Sequence, residues 1–329
     1  MSRRVNKFHS RKGKVSERAG GDGGDNTEFE LEGLANLPFT SEYSLEPKRL
    51  IWIFEECFKY ILLLEDLQQQ IQIVKRDLYN REYLDAFNSD DKRFAYVSRW
   101  TPSRSLAYAS LFSCLPIRNL FEDPDKQSKI LCVGGGAGGE MVGLASVFCR
   151  AKEYNASSLS DLEISVIDIA DWSAVVNKLT SHIKSNWIYD SNKFNTKFIQ
   201  NDILSPSNSI NYSDFDLITI LFTTNELFAE KRKQTVQFLQ LLNSSCKPGS
   251  YLLIAESAGS FSNITIGTKQ FPVQFLIDMI LLGKKDENEG AWELVTENDS
   301  CWYRINENEI SYPLKLENMR FFYKLYQKK

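Results

Sequence analysis

The sequence predicts an α/β protein: a Rossmann-like, mostly parallel sheet with an antiparallel pair at its C-terminal edge, preceded by a helical cap. Three observations predict it. The apolar segment Ile130–Val133 runs straight into a turn with glycine at 134, 135, 136, 138 and 139, and then into a helix-like stretch. Such a turn lets the backbone bend tightly and lets a ligand come close. From there strand-like and helix-like segments alternate, as in a doubly wound sheet. Two of the strand-like segments end on acids, Asp168 and Asp202, at the strand ends where such sheets hold ligands.

Taken in order, residues 1–18 hold seven Arg or Lys against Glu17, about +6, in a chain of formal net charge -4. The remainder therefore carries about -10, so the asymmetry is strong. With the following Gly-Gly-Asp-Gly-Gly, residues 1–30 are expected to be a disordered basic tail and glycine-rich linker. Such arms contact nucleic-acid phosphates, serve as nuclear import signals, or only add solubility. Residues 31–118 are expected to form the helical cap. Apolar residues at 54, 58, 61, 62, 67, 71, 74 and 78 predict one helix from Leu50 to Tyr79. A second helix is expected over Tyr83–Val97, a break at Pro102, and a third over Ser105–Cys114.

Residues 119–329 are expected to form the ligand-binding domain. Its strands are 130–133, 162–168, 196–202, 215–222 and the segment after Lys247-Pro-Gly; its helices are 139–149, 172–186, 225–242 and 271–282. Two strand-like stretches, Ala291–Val295 with Cys301–Ile305, and Met319–Tyr326, lack a crossover helix and are expected to pair antiparallel at the sheet edge.

Composition excludes several classes. A chain of 329 residues that is 43% hydrophobic can bury one large core. No apolar run reaches the roughly 18 residues of a membrane span, and no apolar segment follows the basic N-terminus as a signal peptide requires. An intracellular place, in nucleus, nucleolus or cytoplasm, follows as the expectation, without membrane. The six cysteines are scattered with no CxxC pair, which reads as free buried thiols rather than a metal site. Of the two histidines, His182 lies in an amphipathic stretch as a boundary residue, so no hydrolytic triad is expected. A monomer is the expected state.

The glycine loop fits two cofactors. Gly134-x-Gly136-x-x-Gly139 matches the dinucleotide fingerprint. Gly134-x-Gly136-x-Gly138 matches the S-adenosylmethionine loop equally. Position decides between them. Asp168 at the end of the second strand can take both ribose hydroxyls. Asp202, one strand on, can take the adenine amino group beside a backbone N–H. The Lys247-Pro-Gly turn and the antiparallel C-terminal pair also favour S-adenosyl-L-methionine over NAD. The sheet then reads as that of a class I methyltransferase. The cofactor-binding set is Gly134, Gly135, Gly136, Gly138, Asp168, Ile169, Asp202, Ile203 and Arg104, whose guanidinium suits a donor carboxylate or an RNA phosphate.

Five ordered segments carry a family resemblance: Tyr96-Val-Ser-Arg-Trp-Thr-Pro-Ser-Arg-Ser105, Val133–Glu140, Ile167-Asp-Ile-Ala-Asp-Trp-Ser173, Phe222-Thr-Thr-Asn-Glu226, and Trp302-Tyr-Arg304 with Tyr312-Pro-Leu-Lys-Leu-Glu-Asn-Met-Arg320. Over about residues 45–329 the chain resembles the fungal 25S ribosomal RNA methyltransferases, in particular the group acting on N3 of a single uridine. The resemblance implies ribosomal RNA or a pre-ribosomal large subunit as partner. One departure stands out: an acid is usual two residues before the first loop glycine, and this chain has Cys132. A thiol is a poor acceptor for the donor's ammonium, which leaves Glu140 or a backbone carbonyl for that task.

Uridine N3 bears a proton that must leave, so a carboxylate near the end of the fourth strand is needed as base. Glu226 is the first choice, although Thr223-x-x-Glu226 also fits a helix capping box. Asn225 either binds the base's carbonyl oxygens or only starts the helix. Arg99 and Trp100 suit the lip of the site, and Arg304 and Lys315 are candidate phosphate contacts. A methyltransferase of proteins or small molecules, and an assembly factor without chemistry, are the competing readings.

Overall fold

Alternation along β1 (Gln127–Val133) sends Ile130 and Cys132 to one face and Leu131 and Val133 to the other, and all four are buried. A strand apolar on both faces belongs in the middle of a sheet covered on two sides. The computed structural model describes residues 33–206, 208–258, 263–266, 269–283 and 289–329. The expected basic tail lies outside the described residues. β1 pairs in parallel with β2 (Asp161–Asp168) and β4 (Leu217–Leu221); β3 (Phe194–Gln200) and β5 (Tyr251–Ser257) extend the parallel set. β8 (Trp292–Tyr303) and β9 (Met319–Lys328) add the antiparallel edge, in the order β3-β2-β1-β4-β5-β9-β8. A separate pair, β6 (Asn263–Ile266) with β7 (Lys269–Pro272), was not expected from the sequence pattern. β8 is one strand rather than two stretches, because register shifts at Leu294/Thr296 and Asn298/Cys301 absorb the residues read as loop.

Helices α7 (Gly139–Tyr154) and α8 (Ser173–Asn186) cover one face with the cap helix α5 (Asp90–Cys114), and α9 (Thr224–Ser245) and α10 (Val273–Leu281) cover the other. The predicted helix over 50–79 is instead three: α1 (Pro47–Cys57), α2 (Lys59–Leu62) and α3 (Leu67–Tyr79). The stripe changes partners at the break. Phe54 and Phe58 join the main core, whereas Leu67 and Ile71 pack with Ala95 in a separate cluster, leaving Leu63 and Leu64 exposed between them. The short α4 (Tyr83–Ala86) follows, and α6 (Asn119–Glu122) leads into β1.

The expected break at Pro102 is absent: α5 runs through it as one helix of 25 residues. Proline has no N–H to give the carbonyl four residues back, here that of Ser98. The Tyr312 hydroxyl donates to that carbonyl at 2.8 Å. One turn on, the Ser103 hydroxyl accepts from the backbone N–H of Glu317 at 2.9 Å. Arg99 donates to the Lys315 carbonyl at 2.7 Å and pairs with the Glu317 carboxylate at 2.5 Å. The C-terminal segment thus splints the helix at its proline. Tyr312→Phe strips the Ser98 carbonyl of this donor, and equilibrium denaturation should show a loss of about 1–3 kcal/mol; an unchanged midpoint would show that the hydroxyl is not needed.

Candidate active site

The parallel register brings the ends of β1, β2, β4 and β5 to one edge of the sheet, and a cavity lined by Val133, Asp168 and Leu221 opens there. The chain leaves β1 through Gly134 at φ +71° and enters α7 through Gly138 at φ +80°, left-handed conformations that favour glycine. At Gly136 the constraint is closeness: a Cβ would lie 2.0 Å from the Trp172 indole. Gly135 lies on the cavity wall, beside Cys132 and Glu140.

Asp168 ends β2 in the same wall. One carboxylate oxygen accepts from Gly136 N–H at 3.1 Å and the other from Ala170 N–H at 3.0 Å. Each oxygen keeps a second lone pair for a ligand hydroxyl. Burial raises this acid to about 6, against the pull of the Ala170 and Gly136 donors. Ile169, Asp202 and Ile203 line the cavity too. The Asp202 carboxylate is already engaged, accepting from Leu204 N–H at 2.9 Å and pairing with Lys231 at 2.6 Å. A ligand amino group there would share it with Lys231.

The cap supplies the roof. Leu78, Tyr83, Leu84 and Phe87 line the cavity, and the Phe87 ring packs 5.1 Å from that of Trp172. These residues, with Tyr96 and Trp172, were not singled out by sequence spacing. The only signals were that Tyr96 and Trp172 fall within resemblance segments, Trp172 four residues past the acid that ends β2.

Arg104, on α5, reaches the cavity with one nitrogen donating to the Tyr96 hydroxyl at 2.6 Å and its guanidinium 5.0 Å from the centre of the Phe222 ring. Burial works against its charge, but Tyr96, Tyr108, Glu256 and Glu226 more than offset this, so it stays protonated. It has no ion pair among the described residues. Beside it on the cavity wall, the buried Thr101 hydroxyl has no hydrogen-bond partner there either. A half-buried guanidinium without an ion pair, beside an orphaned buried hydroxyl, is suited to a carboxylate.

Elsewhere on the same wall the sign reverses. The buried Glu140 carboxylate accepts from the Thr219 hydroxyl, next to the Cys132 thiol. Burial pushes Glu140 up to about 7, against hydrogen bonds from Thr219 and Cys132. A carboxylate thus stands beside Cys132, brought there from the first turn of α7. Asp168 for a ribose, Arg104 with Thr101 for a carboxylate and Glu140 for an ammonium match the polar groups of S-adenosyl-L-methionine, and the residues fit it.

At the end of β4 the chain turns through Phe222, a bulky residue at φ +59°, a conformation that costs about 1–2 kcal/mol. The capping box read from Thr223-x-x-Glu226 is not formed, since the Thr223 hydroxyl donates to the Leu221 carbonyl instead. The start of α9 is satisfied from β5: Glu256 accepts from Asn225 N–H at 3.2 Å and from Ser257 N–H at 3.0 Å. The Asn225 side chain also bonds Glu256. Glu226 is left lining the cavity with no hydrogen bond among the described residues. Burial first, and then the neighbouring Glu256 and Asp168, raise it to about 8. Arg99 and Trp100 are not at this cavity, and Arg99 is spent on the C-terminal segment. His182 is remote from it, packed against Trp52.

The sheet order and this set of groups define a Rossmann-like, S-adenosylmethionine-dependent methyltransferase. The chain belongs to the family described as "Putative SAM-dependent methyltransferase", which matches residues 54–327. It is 48% identical over 328 residues to the 25S rRNA (uridine(2843)-N(3))-methyltransferase of Saccharomyces cerevisiae, covering 90% of this chain and 89% of that one. Among solved structures it is similar to the N-methyltransferase NodS of Bradyrhizobium japonicum WM9 in complex with S-adenosyl-l-homocysteine, at 13% identity and a TM-score of 0.36, over 79% of this chain and 98% of that chain. An O-methyltransferase family protein of Burkholderia thailandensis is similar at 12% identity and a TM-score of 0.43, over 80% and 70%.

Proposed function

We propose that this enzyme methylates N3 of a uridine in large-subunit ribosomal RNA, acting within ribosome biogenesis. One observation in the site supports it most: Glu226, a carboxylate in the cavity without a hydrogen-bond partner among the described residues and with raised basicity. A base is needed for this atom, because neutral uracil N3 carries a proton and has no free lone pair. The yeast relative, which spans nearly the whole chain, carries the same activity in its name.

S-adenosyl-L-methionine supplies an electrophilic methyl group on a sulfonium. Arg104 and Thr101 hold the donor's carboxylate, Glu140 its ammonium and Asp168 its ribose, while Gly134, Gly135, Gly136 and Gly138 let the backbone approach. Ile169 and Ile203 flank the adenine, and Asp202 meets its amino group. Glu226 takes the N3 proton as the nitrogen lone pair becomes available. Asn225 holds Glu256 in place at the helix start, so that Glu226 rather than Glu256 faces the substrate. Leu78, Tyr83, Leu84 and Phe87 cover the site from the side of the cap.

Asp168 at about 6, Glu140 at about 7 and Glu226 at about 8 all lie above the ordinary carboxylate range. Raised acids stabilise the fold below their unfolded values and lose that contribution as pH rises through the folded ones. The melting temperature of the free protein should therefore fall from pH 5 to pH 8. A cationic ligand favours the ionised forms, so affinity should run the other way. Titration calorimetry should show the S-adenosyl-L-methionine Kd falling about tenfold in all between pH 6 and 8, with nearly one proton released at pH 6 and almost none at pH 8. A flat profile would mean that Glu140 does not meet the cofactor's ammonium.

The deciding experiment for the substrate is mass spectrometry of nucleosides from large-subunit RNA of cells with and without this protein. Loss of one N3-methyluridine is expected. Unchanged N3-methyluridine, with methyl transfer found instead to protein or a small molecule, would overturn the reading.

A further inference from the structure

A second cavity lies beside the first, and Arg104 and Phe222 form the wall between them. Its other walls are Trp100, Ser103, Met319, Arg320 and the segment Glu317–Asn318. It therefore opens at the end of the sheet where β9 begins next to the end of β5. Trp302 on β8 stands opposite Arg320 in the antiparallel register. The Arg320 guanidinium lies 5.6 Å from the centre of the Trp302 ring and that of Arg304 lies 4.6 Å from it. Both arginines are exposed, yet each is held in place, Arg320 by the Ser300 hydroxyl at 2.8 Å and Arg304 by the Asn36 side chain at 2.7 Å.

Charge sets this edge apart. Among the described residues, every arginine has a carboxylate within ion-pair distance except Arg81, Arg104, Arg232, Arg304 and Arg320. Three of those five, Arg104, Arg304 and Arg320, lie at or next to the second cavity. In an acidic chain, exposed guanidinium groups that are oriented but unpaired are suited to phosphate. The cavity itself has aromatic walls, and the Asn318 amide oxygen accepts from Ile305 N–H at 2.7 Å, which leaves the amide nitrogen free to donate into it.

We propose that this edge receives the RNA: Arg304 and Arg320, held against Trp302, bind phosphates beside the target nucleotide. The base next to the target enters the second cavity between Trp100 and Phe222, where Asn318 donates to a ring carbonyl, and the target uracil reaches the first cavity, where Glu226 stands. This rests on the reading of the enzyme as an RNA uridine methyltransferase. It accounts for the shared wall: Phe222 and Arg104 separate the neighbouring base from the site of methyl transfer. It also gives the second cavity an occupant of matching chemistry, since aromatic walls and a single amide donor suit a planar base with carbonyl edges.

The test uses the full chain with deproteinised large-subunit RNA from cells lacking it. Arg304→Gln and Arg320→Gln should each raise KM for RNA about tenfold and lower the slope of log affinity against log salt by about 1. Turnover at saturating RNA and the Kd for S-adenosyl-L-methionine should stay as in the wild type. Asn318→Asp keeps the acceptor for Ile305 but loses the donor, and should lower kcat/KM for RNA about tenfold with the melting temperature unchanged. If the arginine variants keep the wild-type KM and salt slope while the wild type methylates the RNA, the docking edge is elsewhere and the RNA activity stands. If the wild type itself transfers no methyl group to the RNA, the underlying reading falls and this proposal with it.

Discussion

Glu226→Gln should lower the turnover of N3 methylation by about 100- to 10,000-fold, the range that a positioned base contributes. Glutamine keeps the shape but cannot accept the N3 proton. Three further readouts separate this from a structural loss. The cofactor Kd should move by less than about tenfold, because Arg104, Glu140 and Asp168 remain. The melting temperature should hold or rise, because the cap on α9 comes from Glu256 and the substitution relieves the repulsion between two neighbouring acids. The wild-type rise of kcat/KM with pH through about 8 should disappear in the variant. Full turnover with a lowered melting temperature would instead make Glu226 a helix-start residue. Glu256→Gln is the control; it weakens the acceptor for Asn225 and Ser257 N–H and should cost about 1 kcal/mol of stability.

Arg104→Gln should weaken S-adenosyl-L-methionine binding by about 100-fold, the worth of a buried, forked charge-assisted contact. S-adenosylhomocysteine carries the same carboxylate and should lose as much. Methylthioadenosine lacks it and should bind wild type and variant alike. Arg104→Lys keeps the charge but not the fork, and should recover only part of the loss. The free protein should not be destabilised by much, since the guanidinium is half-buried there without an ion-paired anion among the described residues. An equal loss for methylthioadenosine would show that Arg104 acts by shaping the pocket through Tyr96 and Phe222 rather than by holding the carboxylate.

What could be read from the chain alone follows from how local each signal is. The glycine loop, the acids ending β2 and following β3, and the strand–helix alternation are properties of short segments, and the structure places them around one cavity. The proline in α5 misled because its remedy, the Tyr312 hydroxyl, lies 214 positions from the Ser98 carbonyl that it serves. The capping box misled for the same reason: Thr223-x-x-Glu226 has the right spacing, but Glu256 on the neighbouring strand takes the helix start. Cys132 marked a missing acid, and the substitute, Glu140, lies near enough in sequence to be named. The roof from Leu78 to Phe87 was not legible as part of the site, because its apolar residues look like any packed helix face until the sheet beneath them is known.

The splint on α5 sets an order of events during synthesis. The chain emerges from its N-terminus, so the helix carrying Arg104 is made more than two hundred residues before Tyr312 and Glu317. Until those residues appear, the Ser98 carbonyl lacks the Tyr312 hydroxyl and Arg99 lacks its carboxylate. The glycine loop and Asp168 are already present by then, yet the arm that would hold the donor's carboxylate is not braced. The carboxylate end of the pocket is thus braced only when the segment from Tyr312 to Glu317 docks, and a chain stopped short of it would carry the cofactor loop with the Arg104 helix unbraced.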